Sequence, residues 1–270
     1  MTDTTTTPPA NASGDLDGNV LFYSKPEPLS SDLHGTLGVN PVDKPYAFVG
    51  ASHVVPLTVT EFAPAALSYP VVFLGASKQP VAVMGLRQSE NLYVSATGDF
   101  RPEAYIPAYV RRYPFVFAND PQGQRLILCI DRDAPFLVEG GQAPLFEDGK
   151  PSDYVNQAME FCNNFEQERQ RTESFVKLLT DLDLFDVREA VFTPRNERGE
   201  PGEPQKLADY FAVSEDKLKA LPAEKLAELR DNGALGQIYA HLVSLLGWDR
   251  LIALAFQRAN DNAQPVAGNA

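Results

Sequence analysis

Cysteine is scarce: only Cys129 and Cys162 occur, too few for a disulfide framework. Cys129 lies in the apolar run Leu126-Ile127-Leu128-Cys129-Ile130, and Cys162 follows Phe161 in a helical pattern. Both read as small buried hydrophobes. There are three histidines, with no C-x-x-C or H-E-x-x-H, so metal-ligand spacing is missing and no metal is expected. Positive charge is also short, with 23 Lys and Arg against 36 Asp and Glu and a net charge of -13. A phosphate polymer would be repelled on average, so nucleic acid is not an expected partner, and anionic lipid is disfavoured for the same reason. No stretch approaches the roughly 20 apolar residues that span a bilayer, and patches such as Pro70 to Gly75 and Leu251 to Phe256 are core-sized. Met1 to Pro9 has neither a basic start nor an apolar core, so it is not a secretory signal. A cytoplasmic location without membrane insertion is expected. No G-x-G-x-x-G, G-x-x-x-x-G-K-[ST] or G-x-S-x-G occurs, so the common phosphate cradles and the hydrolase nucleophile elbow lack support, and no cofactor is named.

The remaining sequence is ordinary globular material, 44% hydrophobic and 22% charged over 270 residues, enough to bury a large core. The spacing predicts an α+β fold in which a sheet-rich N-terminal half (19–149), antiparallel in type, packs with a helix-rich C-terminal half (150–259). The two halves read as a single domain over 19–259, flanked by a disordered tail at 1–18 and a flexible one at 260–270. Candidate strands are Ala47–Val49, Val71–Leu74, Val81–Leu86, Leu92–Val94, Phe115–Phe117 and Leu126–Ile130, each rich in Val, Ile, Tyr or Phe between turn residues. Asn119-Asp120-Pro121-Gln122-Gly123 reads as the connection of a hairpin. Two short helices are expected, one capped by Thr60 and running to Leu67, the other opened by Pro107.

In the second half, Val155, Met159, Cys162, Phe165, Phe175, Leu178, Leu179 and Leu182 keep a three-and-four spacing that predicts one long helix near 152–181. Its charges Glu166, Glu168, Arg169 and Arg171 read as a solvated face. Leu184–Thr193 and Leu207–Val213 alternate as a hairpin pair around the polar turn Pro194 to Pro204. Ser214 and Pro222 open two helices, Asn232-Gly233 stops the second, and a final helix runs from Ala234 to about Arg258.

Few residues stand out chemically. His53 precedes Val54-Val55-Pro56-Leu57 and lies eight positions before Glu61, a spacing open to a base-and-carboxylate pair or to a packed strand end. His34 reads as a turn residue and His241 as a core histidine on the stripe of Ile238 and Leu242. Asp131 is an acid at a strand end, either a site carboxylate or part of a solvated turn. The richest segment is Tyr105-Ile106-Pro107-Ala108-Tyr109-Val110-Arg111-Arg112-Tyr113-Pro114-Phe115. Tyr105, Tyr109, Arg111, Arg112 and Tyr113 suit capture of a peptide or small anion, since arginine grips carboxylate or phosphate in a fork and tyrosine offers rigid surface. The alternative is internal, with the arginines meeting the chain's own acids and the tyrosines packing on the sheet. Trp248, the only tryptophan, reads as a core or interface anchor.

These segments resemble the bacterial SapC family. The matching features run in order: Val55-Pro56-Leu57 with Glu61-Phe62, Tyr69 to Phe73, Asn91 to Val94, the Tyr105–Phe115 block, Cys129-Ile130-Asp131, Leu145 to Gly149, and Gly233 to Leu245. The resemblance is to the soluble SapC proteins, not to the peptide-transporter permease of the same name and not to saposin C. It implies association with surface-layer protein secretion, and with systems encoded near TonB-dependent receptors and flavin-dependent halogenases. It carries over no residue roles. Two readings carry a site, beside a third, a purely structural component of an assembly with a large exposed apolar patch around Trp248 or the final helix. One is a soluble accessory or binding protein with a protein or peptide partner, recognising it through the Tyr105–Phe115 block. The other is an enzyme of unfamiliar type acting on a peptide or small molecule, with His53, Glu61, Arg111 and Asp131 converging in one pocket.

Overall fold

The computed structural model describes residues 20–119, 125–193 and 202–263. The expected tail at 1–18, most of the 119–123 connection, residues 194–201 of the polar turn, and 264–270 lie outside the described residues. The strands are β1 (Pro26–Pro28), β2 (Leu37–Val39), β3 (Val54–Pro56), β4 (Val71–Leu74), β5 (Gln79–Val83), β6 (Phe115–Asn119), β7 (Leu126–Asp131), β8 (Leu137–Glu139), β9 (Ala143–Pro144), β10 (Phe146–Glu147), β11 (Lys150–Pro151), β12 (Phe185–Phe192) and β13 (Gln205–Val213). The helices are α1 (Ser31–His34), α2 (Phe62–Ala66), α3 (Ala108–Arg111), α4 (Asp153–Asp181), α5 (Glu215–Lys219), α6 (Ala223–Asp231), α7 (Ala234–Ser244) and α8 (Trp248–Ala263). The architecture is α+β with antiparallel sheets throughout.

The main sheet has five strands in the order β12-β13-β4-β5-β3 and draws on both halves of the chain. Its central seam is thin, because β13 and β4 meet at one register pair, Phe211 with Phe73. Helix α7 reinforces that seam. His241 reaches the Val71 carbonyl through Nδ1 at 2.8 Å and accepts the Val213 amide on Nε2 at 3.1 Å. The Val71 amide donates to Ser244 Oγ at 2.9 Å. These bonds satisfy backbone groups that a fuller ladder would otherwise pair. Phe73 is fully buried at the seam, its ring 4.9 Å from Phe185 and 5.0 Å from His241.

A second sheet, β1-β7-β6, and a third, β8-β2-β9, stand beside it. Helix α4 joins the layers. Ser152 caps it by accepting the Val155 amide, and 29 helical residues give it a length of about 43 Å. Its first turns place Val155 and Cys162 with Phe115, Ile130 and Leu145, while Phe165, Phe175, Val176 and Leu179 enter the main core. That main core is one connected cluster holding Val55 and Val71 from the first half and Tyr210, Ile238 and Leu251 from the second.

Several local expectations need correction. Ala47–Val49 is a 3-10 turn and Leu92–Val94 contributes only the isolated bridge Val94–Phe100, because short Val- and Phe-rich runs also serve as buried connections. Thr58, not Thr60, starts the turn before α2, in a capping box with Glu61. The final helix is broken at the 3-10 turn Leu245–Gly247, where a Cβ on Gly247 would lie 3.2 Å from the Pro70 nitrogen. Helix α8 then continues through Asn260 to Ala263, inside the stretch expected to be tail. By length and composition alone Ala234–Asp261 is apolar enough to cross a membrane, contrary to the sequence expectation, although the inward side chains His241 and Ser244 bind the sheet within it.

Candidate functional site

The Tyr105–Phe115 block folds around α3, with Pro107 at its N-cap as the sequence predicts. Its tyrosines turn inward. Tyr109 is buried, Tyr105 donates from Oη to Glu61 Oε1 at 3.0 Å, and Tyr113 donates to Asp131 Oδ2 at 3.0 Å. Burial, followed by the Glu61 charge, pushes the Tyr105 phenol up to about 12. Tyr113 is likewise pushed up by burial and then by Asp131.

Glu61 is almost fully buried, and its carboxylate is committed. Besides Tyr105 it accepts from the Ala108 amide at 2.6 Å, and from the Thr58 amide and Thr58 Oγ1, both at 2.8 Å. Four donors on one carboxylate tie the turn before α2 to the start of α3. Arg111 is exposed beside this cluster. Its Nε donates to the Ile106 carbonyl at 3.0 Å, and its guanidinium lies 5.2 Å from the Phe161 ring centre.

Asp131 is also fully buried rather than part of a solvated turn. It accepts from the Ser24 and Lys25 amides at 3.0 and 2.8 Å as well as from Tyr113, and so anchors the chain entering β1. His34, expected in an open turn, is the buried last residue of α1, with Nε2 3.0 Å from Glu27 Oε1. His53 sits half-buried ahead of β3, and burial lowers its pKa. Its carbonyl accepts from the Met84 and Gly85 amides, and among the described residues no hydrogen bond or ion pair joins it to Glu61, Arg111 or Asp131. Glu61, Tyr105 and Arg111 are therefore brought together, whereas His53 and Asp131 each have their own surroundings. Cys129 and Cys162 are buried thiols, both pushed up to about 11 by burial. Among the described residues no three His, Cys, Asp or Glu side chains gather as metal ligands.

Arg112 differs from every other arginine described. Its guanidinium lies 3.9 Å from the Tyr109 ring centre, 4.6 Å from Phe165 and 5.8 Å from Tyr23. Its Nε is buried without a hydrogen-bond partner, and no carboxylate among the described residues forms an ion pair with it. Such rings stabilise a cation, and Arg112 in turn, by its charge and a side-chain hydrogen bond, opposes the burial that raises the Tyr109 phenol. A buried donor left unmade costs about 1–3 kcal/mol, so the arrangement favours an acceptor arriving from outside.

The space that acceptor would use is a cleft of about 480 Å³ beside Arg112. One wall is a stripe of α4 from Cys162 to Thr180. The other is built from Pro56–Thr58, the β4–β5 turn Ala76–Pro80, and Val116, Phe117 and Asn119 of β6. Four cations line it, Lys78, Arg112, Arg169 and Lys177, against the carboxylates Glu166 and Glu173. Glu166 is gripped by Arg169 through two 2.7 Å bonds. Burial would raise the Glu166 pKa, but the bonds from Arg169 and Gln170 outweigh it and hold the group below the usual carboxylate range. Glu61, Asp131, His53 and Arg111 are not part of the lining. The α4 wall is not legible from sequence because Glu166 and Arg169 resemble any solvated helix face; their neighbours Phe165 and Thr172, apolar and small on the same stripe, are the available signal.

Fold and site together define an α+β protein in which one long helix closes a cationic cleft against two antiparallel sheets. The chain belongs to the SapC family, whose model matches residues 29–251, from the end of β1 into α8. No curated protein and no solved structure matches it.

Proposed function

We propose that this SapC-family chain is a cytoplasmic accessory protein that binds an anionic group of a peptide or small molecule in the cleft beside α4, with Arg112 as the anion holder. The observation that carries this reading is a caged guanidinium that forms no ion pair among the described residues, its charge felt by Glu166 only through space, in a chain that carries 13 more acids than bases. Linkage to surface-layer secretion, uptake or peptide modification comes from the family resemblance, and the peptide or protein partner belongs to the same proposal. Of the five residues expected to bind, Tyr109 and Arg112 line the cleft and are kept, while Tyr105, Arg111 and Tyr113 lie outside it. The alternative, a base formed by His53 and Glu61, gains no support from a carboxylate whose four bonds are all internal.

Calorimetric titration with glutarate and with a blocked acidic octapeptide tests the proposal. The wild type binds at least one of them, Arg112→Met weakens binding tenfold or more, and Arg111→Met leaves it unchanged. Equal affinity in the wild type and Arg112→Met would remove Arg112 from the site. No binding of either probe at millimolar concentration would overturn the anion-cleft reading itself.

A further inference from the structure

We infer that the ligand of this cleft is an extended acidic peptide, added as a strand to the outer edge of β6; the inference rests on the anion-cleft reading above. The phase of the β1-β7-β6 sheet is set by bonds on both sides of β7. The Leu29 amide donates to the Leu128 carbonyl at 2.9 Å, which turns Leu128 and Ile130 toward β1. On the other side the Asp131 amide donates to the Pro114 carbonyl at 2.9 Å. Antiparallel ladders alternate hydrogen-bonded and non-bonded pairs, so Pro114, Val116 and Ala118 face β7, while Phe115, Phe117 and Asn119 present their N–H and C=O groups outward.

The outward groups of Phe115 are already used. Its amide donates to the Arg112 carbonyl at 2.8 Å, and its carbonyl accepts from Tyr23 Oη at 2.6 Å. Those of Phe117 and Asn119 have no strand beside them among the described residues, because β6 ends the sheet. Val116 and Phe117 point to opposite faces of their strand, yet both line the cleft, so the cleft wraps this open edge.

An exposed edge of this kind is a template for another strand. The groove along α4 from Cys162 to Thr180 is about 27 Å long at 1.5 Å per residue, and an extended chain of about eight residues fills that length. The ladder closes at Phe115, beside Arg112. A strand paired on Phe117 and Asn119 therefore delivers its next acidic side chain, or its terminal carboxylate, to the caged guanidinium. Main-chain bonds supply the general affinity; Arg112 with Lys78 selects acidic sequences, since among the lining cations Arg169 and Lys177 already pair with Glu166, Glu173 and Asp181.

The probes are a blocked octapeptide alternating Thr with Glu, the same peptide N-methylated at every backbone amide, and glutarate as the bare anion. On the full-length wild type the octapeptide binds at least tenfold tighter than either comparison. It also slows amide exchange of Phe117 and Asn119 by tenfold or more, which glutarate does not do. Equal binding of the octapeptide and its methylated analogue, or unchanged exchange at Phe117 and Asn119 in the complex, overturns strand addition. Continued Arg112-dependent binding of glutarate would in that case leave the anion cleft standing. Failure of both glutarate and octapeptide to bind removes the two readings together.

Discussion

Glu61 and His241 illustrate how a polar side chain becomes part of a core. Glu61→Ala leaves the amides of Thr58 and Ala108 and two hydroxyl groups without their acceptor. The expected loss is about 3 kcal/mol, read as a lower urea midpoint at unchanged slope. Glu61→Gln should cost nearly as much, since an amide turns a donor toward groups that themselves donate. His241 is held neutral, its pKa lowered to about 4 chiefly by burial and only partly restored by the Val71 carbonyl. The unfolded chain titrates near 6.5, so the unfolded state alone takes up this proton as pH falls from 6.5 to 4. Stability is fully present above 6.5, declines by about 3 kcal/mol across that window, and levels off below it. Denaturant titrations at pH 7, 5.5 and 4 should show this decline in the wild type and a shallower one in His241→Gln. The thiols give a third reading at this scale. Cys129 and Cys162 should stay inert to a thiol reagent in the native protein at pH 8 and react together on unfolding.

Helix α4 shows what one element contributes beyond its own hydrogen bonds. Thr172 lies on its inward stripe, accepting the Val59 amide at 2.8 Å and donating to the Glu168 carbonyl, so one hydroxyl pins the helix to the turn before α2. Thr172→Val keeps the volume but strands the Val59 amide. A loss of about 2 kcal/mol in equilibrium unfolding is expected, with the helical circular dichroism of the folded protein unchanged. The helix was legible because its apolar spacing and Ser152 cap agree over many turns. Elements of three residues were not. Ala47–Val49 and Leu92–Val94 have strand composition, but a run that short is decided by the partner beside it, and only Val94 finds one. The break at Leu245–Gly247 was hidden for a related reason: the apolar periodicity continues, while the close approach of Gly247 to Pro70 is a tertiary contact.

At the scale of the molecule, the sheet shared between the halves has a mechanical consequence. The strands β12 and β13 come from the second half and β3 to β5 from the first, stitched by His241 and Ser244 and covered by a common core. Unfolding should therefore be a single transition, with Trp248 fluorescence and far-ultraviolet dichroism coinciding along a urea series. Fragments cut near Gly149 should not fold separately. Two separated transitions would show that the halves unfold as independent units.

The sequence by itself determined the α+β class, the long helix, the hairpin pairs β6–β7 and β12–β13, the family, and the few residues with chemical potential. These features depend on periodicity, caps and ordered local motifs, which are written in neighbouring residues. Only the tertiary structure decided what those residues do. Glu61 and Asp131 became internal acceptors, Tyr105 and Tyr113 became their donors, and His53 gained no polar partner among the candidates. Of two adjacent arginines, Arg111 faces outward on the Phe161 ring, while Arg112 enters a cage of Tyr23, Tyr109 and Phe165 beside the cleft. The physical reason is that charge pairing, desolvation and ring stacking depend on distances between segments far apart in the chain, and residue order alone does not encode those distances.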